Sequence, residues 1–267
     1  MLSLAFSLPA RRSAAVAGLI ATTVACSDEA TSPRHAPRLP PGISAVDNPD
    51  LTMLPVRPPV VNGIITAGEY SGGVSLSFDA SVPAGLISLP TPVRVQATRD
   101  QTYLYLAVTY DRKSPIHPMD LVAFEFDNDN DGNREEGDDA LSVYANGTPN
   151  VAQVAGDGHR YKTTTGSAVR LDHLDGGTTD ALVAWGTAGS GTKVTYEIRH
   201  ALNSADNAHD FSIAPTFGSQ TVGMQIMVAL EKGPVGSLEI LRTHYPSFTT
   251  YCQLTVGTTK VTGVSCP

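Results

Sequence analysis

Most of the sequence after the first sixty residues alternates apolar and polar residues with a period of two. Val74, Leu76 and Phe78 are separated by polar residues, and the stretches 93–98 and 103–110 repeat the pattern. Successive side chains of a strand point to opposite faces, so this alternation is typical of strands with one buried face. No stretch carries an apolar stripe of helical period over three turns. The sequence therefore predicts an all-β fold of about a dozen strands.

The expected arrangement of these strands is an antiparallel β-sandwich of the immunoglobulin or jelly-roll kind. The chain contains 24 glycines and 19 prolines, and only 16% of its residues are charged, which favours short strands and turns over long helices. Crossover helices and a repeat of fixed period are both missing from the pattern, which argues against parallel sheets and propellers. Residues 60–267 are predicted to form a single sandwich domain.

The order of short motifs resembles that of the family 9 carbohydrate-binding-module-like sandwiches. Residues 61–65 and 67–70 are similar to the family's opening motifs, and 102–110 to its "Leu-Tyr-Leu" strand. An aspartate-rich turn at 127–132 and a strand at 196–198 follow in the family's order. Asn62 and Tyr70 replace the family's aspartate and tryptophan. The resemblance implies a non-catalytic β-sandwich that binds carbohydrate or another extracellular polymer.

The N-terminal segment has the features of an export signal. Arg11 and Arg12 precede thirteen small or apolar residues, 13–25, a stretch too short to span a bilayer as a helix. Residues 23–26 resemble the bacterial lipobox, which implies that Cys26 is lipidated and that residues 1–25 are removed. The expected location is the bacterial cell envelope, with the outer membrane or cell surface as the anchoring site. The alternative is an ordinary signal peptide cleaved near Ala25 and a secreted protein.

Residues 26–59 are predicted to be a proline-rich tether. Eight of the 19 prolines lie between residues 31 and 60, and no apolar periodicity accompanies them. Such segments favour an extended polyproline conformation of about 3.1 Å per residue. The tether would hold the sandwich domain away from the membrane to which a lipid anchor attaches it.

The three cysteines divide into one pair and one single residue. Cys252 and Cys266 flank a predicted hairpin with its turn near residue 258, and positions 252 and 266 lie opposite each other in a hairpin centred on residue 259. Cross-strand neighbours in such a hairpin are close enough for a disulfide. The sequence predicts this disulfide and leaves Cys26 as the odd cysteine, at the lipidation position.

Many of the acidic residues are concentrated in one segment, which contains a loop. Residues 120–139 hold nine of the 26 acids and one arginine, so this segment carries the whole formal charge of −8. The remaining acids and bases balance, and no basic surface is expected to attract nucleic acid. Within the loop, 127–138 match the spacing of an EF-hand calcium loop on a β-hairpin. The predicted Ca²⁺ ligands are Asp127, Asp129, Asp131, Asn133 and Asp138.

Two points about this loop stay open from the sequence. Asp138 occupies the position where an EF-hand has glutamate, so Glu136 or Asp139 could complete the site instead. The alternative to a metal site is a solvated acidic turn, because Asp, Asn and Gly are common turn residues. Repulsion among the clustered carboxylates favours a structural calcium ion.

The residues that could bind sugar are aromatic. Trp185, the sole tryptophan, could form a stacking platform with the tyrosines Tyr103, Tyr105, Tyr144 and Tyr161, although each is individually suited to packing. The seven histidines show no ligand spacing, and hydrolase and nucleotide-binding motifs are not found. The sequence indicates a non-enzyme.

Two other functions remain open. Related sandwiches hold haem b, and this chain offers candidate axial ligands that would suit an electron-transfer subunit: Met119, Met224, Met227, His117 and His200. A structural or adhesive lipoprotein that binds another protein is the second alternative.

Overall fold

A computed structural model describes most of the chain after residue 56. The described residues are 57–84, 87–154, 156–163, 166–188, 191–214, 218–232 and 239–267. The predicted signal peptide, residues 1–25, lies outside them, as does the predicted tether, residues 26–59, apart from its last three residues. No helix in the described part is long and apolar enough to cross a membrane.

The described residues form fourteen strands and one single-turn 3₁₀ helix, Asp172–Leu174. The strands are β1 Val74–Ala84, β2 Ile87–Arg99, β3 Tyr103–Asp111, β4 Leu121–Asp127, β5 Asp139–Tyr144, β6 Gln153–Val154, β7 Gly156–Thr163, β8 Gly166–Leu171, β9 Leu182–Ala188, β10 Lys193–Ala201, β11 Gln220–Lys232, β12 Glu239–Tyr245, β13 Cys252–Val256 and β14 Val261–Ser265.

The strands form two antiparallel sheets, and the predicted all-β sandwich is confirmed. The six-stranded sheet has the order β1-β2-β3-β10-β9-β6. The eight-stranded sheet has the order β14-β13-β11-β4-β5-β7-β8, and β12 pairs with the second half of β11. The β7–β8 hairpin was not expected, because its sequence is polar and glycine-rich and lacks the apolar alternation that marks the other strands.

The main hydrophobic core lies between the inner faces of the two sheets. Alternate residues of β3, such as Leu104, Leu106 and Val108, meet Phe124 and Phe126 of β4 there, and all five are buried. Burying each such side chain contributes about 1.5–3 kcal/mol relative to leaving it exposed. The period of two that marks the sequence is therefore the pattern of residues that fill this core.

A second, smaller apolar cluster covers part of the outer face of the six-stranded sheet. The segment before β1 lies on this face, where Val61 and Tyr70 pack against Tyr105. Glu197 of β10 holds the segment in place. Its Oε2 accepts the backbone N–H groups of residues 62 and 63, and its Oε1 accepts the hydroxyl of Tyr70.

Gly63 explains why the motif at 61–65 contains a glycine. Its φ is +78°, and a Cβ at this position would lie 2.4 Å from the backbone carbon of Trp185. Only glycine both adopts this conformation readily and permits so close an approach to β9. The motif thus docks the first described segment onto the sheet.

The C-terminal hairpin carries the predicted disulfide, and the prediction is confirmed. Gln253 pairs with Ser265, which places Cys252 opposite Cys266 at a Cα separation of 4.2 Å. The turn closes through a hydrogen bond from the N–H of Gly257 to the carbonyl of Lys260. The disulfide fixes the end of the chain to the edge of the eight-stranded sheet.

Candidate functional site

The acidic loop connects β4 to β5, which are neighbouring antiparallel strands. Backbone N–H groups of the loop point inward: the N–H of Gly132 donates to Asp127 Oδ2 at 2.8 Å, and that of Asn133 donates to Asp131 Oδ1 at 2.6 Å. Asn130 and Gly132 have positive φ values of 57° and 86°. These conformations suit asparagine and glycine and bend the loop tightly around its carboxylates.

Three of the predicted calcium ligands converge. One carboxylate oxygen each of Asp127, Asp129 and Asp131 lies within 4.8 Å of the other two. Asp127 is buried at the end of β4, whereas Asp129 and Asp131 are exposed. Oxygen atoms at such separations can bind one cation of the size of Ca²⁺, which takes ligands at 2.3–2.6 Å.

The other two predicted ligands lie at the edges of this group. Asn133 donates its side-chain amide to Asp131 Oδ2 at 2.7 Å. Asp138 is buried, and its Oδ2 accepts the hydroxyl of Tyr251 at 2.7 Å and the N–H of Glu135 at 2.8 Å. Of the two substitutes considered for Asp138, Glu136 is exposed and Asp139 faces a different cluster.

Two buried carboxylates of the loop, Asp127 and Asp138, are costly to keep charged. Burial raises the pKa of Asp127 to about 6, and the neighbouring Asp129 adds to the shift. Burial also raises the pKa of Asp138 to about 6. A bound cation favours the charged form of such groups and would offset this cost.

Arg134, the one base of the acidic segment, binds a carboxylate of the sheet rather than the carboxylates of the loop. Its guanidinium forms two hydrogen bonds to Glu125, on the outer face of the eight-stranded sheet, and lies 4.0 Å from the centre of the Phe248 ring. Arg160 of β7 binds the same carboxylate. The charge of Arg134 is thus committed to Glu125 and does not neutralise Asp129 or Asp131.

A groove of about 280 Å³ lies on the outer face of the six-stranded sheet, beyond the part covered by the second cluster. Its floor is the row formed by Arg94, Thr109 and Thr195 on three adjacent strands. Asp111 and Lys193 form the next row. Arg94, Asp111 and Lys193 are exposed, and none of them forms an ion pair with a described residue, so their polar atoms are available to a ligand.

The sequence missed this groove because its polar residues come from three strands and look like ordinary solvent-facing positions. Gln96 adds an amide to its lining, and Ile65, Pro92 and Ala188 add apolar groups. Tyr110 also borders it, but the Tyr110 ring packs in the main core. The groove therefore offers donors and acceptors for hydrogen bonds rather than an aromatic platform.

The five aromatic residues proposed as a sugar platform do not share a face. Trp185 is 8% exposed and packs in the main core. Tyr103 and Tyr105 lie on the outer face of the six-stranded sheet, where Tyr105 is buried under the segment before β1. The strand pairing puts Tyr144 on the outer face and Tyr161 on the inner face of the other sheet. The sequence could not show this arrangement, because strand register decides which aromatic side chains meet and the sequence does not specify it.

The candidate haem ligands are also dispersed. Met224 is 1% exposed in the main core, and Met227 lies on the opposite face of the same strand. His117 is buried beside Glu231, with 3.4 Å between His117 Nδ1 and the carboxylate. His200 belongs to a buried acidic cluster, and Met119 is exposed.

Among the solved structures that match this chain, two are a family 9 carbohydrate-binding module from Caldicellulosiruptor kristjanssonii. The structure in complex with cellotriose has 14% sequence identity and a TM-score of 0.39, and the match covers 70% of this chain and 78% of the module. The structure in complex with glucose has 14% identity and a TM-score of 0.35, and covers 66% and 75%. No family model and no curated protein matches the sequence.

Proposed function

We propose that this chain is a non-catalytic lipoprotein of the bacterial envelope whose calcium-stabilised β-sandwich binds a polysaccharide or another extracellular polymer. The observation that carries the binding part is the open polar groove on the six-stranded sheet. Arg94, Gln96 and Asp111 are residue types that hydrogen-bond to sugar hydroxyl groups, and the floor threonines add further donors and acceptors. A groove open along a sheet face suits a chain-like ligand better than a small enclosed one.

The two cations of the groove refine the expected ligand. The lining contains two cationic side chains, Arg94 and Lys193, and one carboxylate, Asp111. The groove therefore has a net positive charge, although the formal charge of the chain is −8. Guanidinium groups bind carboxylates through paired hydrogen bonds. Polysaccharides that contain uronic acids therefore fit the groove better than neutral ones.

Glycan-array screening followed by titration calorimetry tests this function. The purified protein should bind at least one class of glycan saturably. Replacing Arg94 and Lys193 together by alanine should weaken binding at least about tenfold, because a hydrogen bond to a charged group contributes about 1.5–3 kcal/mol. Arg242→Ala removes an exposed arginine of the other sheet and is the matched control, for which no change is expected.

Three results would count against this function. The groove assignment is wrong if the Arg94/Lys193 variant binds like the wild type. An array without any saturable ligand would favour the protein-binding alternative. A Soret absorption band in the protein as purified would favour the haem-binding alternative.

The support for the calcium ion is the convergence of Asp127, Asp129 and Asp131 in a loop of the expected spacing. Its proposed role is structural, because extracellular calcium is abundant and loops of this kind in extracellular modules bind at about 10⁻⁴–10⁻³ M. The loop lies on the eight-stranded sheet and the groove on the other one, so the ion would stabilise the fold rather than contact the polymer.

The lipid anchor is proposed from the lipobox-like residues 23–26 and from the pairing of the other two cysteines. In a bacterial host the wild type should partition into the detergent phase of a phase-separation assay. Cys26→Ser removes the acylated thiol and should give either soluble or unprocessed protein. Equal partitioning of this variant and the wild type would rule out the anchor.

A further inference from the structure

Five ionisable side chains that do not line the groove meet between the inner faces of the two sheets. They come from β5, β7, the 3₁₀ turn, β10 and the segment after β10, and they are Asp139, Asp157, Asp172, His200 and Asp210. Each is at most 2% exposed. Burying ionisable groups is costly unless they are paired or bind a metal. This buried cluster therefore needs a compensating group.

Many polar atoms of the buried cluster have no hydrogen-bond partner among the described residues. This holds for both carboxylate oxygens of Asp139 and Asp210 and for both ring nitrogens of His200. His200 Nε2 and Asp210 Oδ2 are 3.7 Å apart, which is too long for a hydrogen bond. Buried polar atoms without partners call for an explanation, and a bound ion is one that suits carboxylates grouped with an imidazole.

The other two carboxylates each use one oxygen in hydrogen bonds and leave the second without a partner. Asp157 Oδ2 accepts the N–H groups of residues 180 and 181 at 2.7 and 3.1 Å, while its Oδ1 is unpartnered. Asp172 Oδ1 lies 2.6 Å from His159 Nδ1, while its Oδ2 is unpartnered. Surrounding hydrogen bonds that fix one oxygen of a ligand and leave the other free are typical of metal sites.

The distances divide the buried cluster into two groups that share one residue. Ligand atoms of Asp139, His200 and Asp210 lie within 4.8 Å of one another, and so do those of Asp157, Asp172 and Asp210. Both carboxylate oxygens of Asp210 are unpartnered, and Asp210 is the residue common to the two groups. Its position in both groups makes it the residue on which the whole arrangement depends.

We propose that Asp139, Asp157, Asp172, His200 and Asp210 form a buried binding site for divalent transition-metal ions. Four carboxylates and one imidazole supply a ligand set whose negative charge a divalent cation would offset. The nitrogen ligand distinguishes this site from the acidic loop, since imidazole suits Zn²⁺ and related ions whereas an all-oxygen loop suits Ca²⁺. The site does not depend on the proposed glycan or calcium functions.

The competing explanation is that protons rather than metal neutralise the cluster. Burial raises the pKa of Asp139 well above its usual range, in the direction expected for a protonated carboxyl. Metal analysis separates the two explanations, because a protonated cluster binds no ion.

The experiment uses the full-length wild type and two variants, each freed of metal with EDTA, equilibrated with Zn²⁺ or Mn²⁺ and desalted. Mass spectrometry of the elements then gives the metal content. The wild type should retain a stoichiometric amount. The double variant Asp129→Ala with Asp131→Ala, which disables only the loop, should retain it too. Asp210→Asn should lose it, because this change removes the charge shared by both groups of ligands.

Thermal melting provides the second readout, and it still tests the proposal if Asp210→Asn does not fold. At about a hundredfold excess over Kd, metal should raise the melting temperature of the loop-disabled variant by about 5–10 °C. A loop-disabled variant that retains neither ion and melts at the same temperature with and without metal would overturn the proposal.

Discussion

Replacing Glu125 by alanine is expected to lower the free energy of unfolding by about 3–5 kcal/mol. Glu125 is buried on β4 and binds two guanidinium groups at once. The carboxylate oxygens of Glu125 accept hydrogen bonds from Nε and Nη2 of Arg134 at 2.5 Å, and from the same two atoms of Arg160 at 2.6–3.0 Å. Without Glu125 both arginines lose this carboxylate in a place where little water can replace it. The cost is therefore that of breaking a buried ion pair rather than of losing a surface contact.

Urea unfolding of the wild type and of Glu125→Ala measures this effect. The matched control is Glu239→Ala, because Glu239 accepts from Lys232 at 2.9 Å but is 60% exposed. The control should cost at most about 1 kcal/mol. Similar losses for the two variants would show that burial does not amplify the Glu125 interaction.

Glu125→Ala should also weaken the attachment of the acidic loop to the eight-stranded sheet. Arg134 belongs to that loop and is anchored to the sheet through Glu125 and through its contact with Phe248. The carboxylates of the loop then lose part of the scaffold that holds them together.

The features that the sequence predicted correctly are set by residues close to one another along the chain. Alternation identified the strands that line the core, because strand geometry forces successive side chains to opposite faces. The symmetry of one hairpin was sufficient to pair Cys252 with Cys266. The acidic loop lies between β4 and β5, on the hairpin that its flanking sequence indicated.

The features that the sequence did not predict depend on contacts between distant residues. Arg134 is the only base within residues 120–139, but Glu125 of that segment also binds Arg160 of β7, 35 positions away. The aromatic platform failed because Trp185 and Tyr144 point to different faces of different sheets. The groove and the buried cluster combine residues far apart along the chain, and no local spacing marks them.

The proposed calcium ion should have the second large effect on stability. A ligand that binds only the folded state stabilises it by about 2.7 kcal/mol at a hundredfold excess over Kd. For a domain of this size the melting temperature should rise by about 2–4 °C per kcal/mol. Two of the converging carboxylates, Asp129 and Asp131, are exposed, so alanine at both positions should remove the site and leave the core intact.

The most direct measurement is the melting temperature of the wild type and of the Asp129/Asp131 double alanine variant, each in millimolar Ca²⁺ and in EGTA. The wild type should melt about 5–10 °C higher with Ca²⁺. The variant should melt at the same temperature in both conditions, and high salt should keep it folded by screening the remaining charges. A wild type that is indifferent to both Ca²⁺ and EGTA would contradict the calcium-stabilised sandwich and leave the loop as an acidic turn.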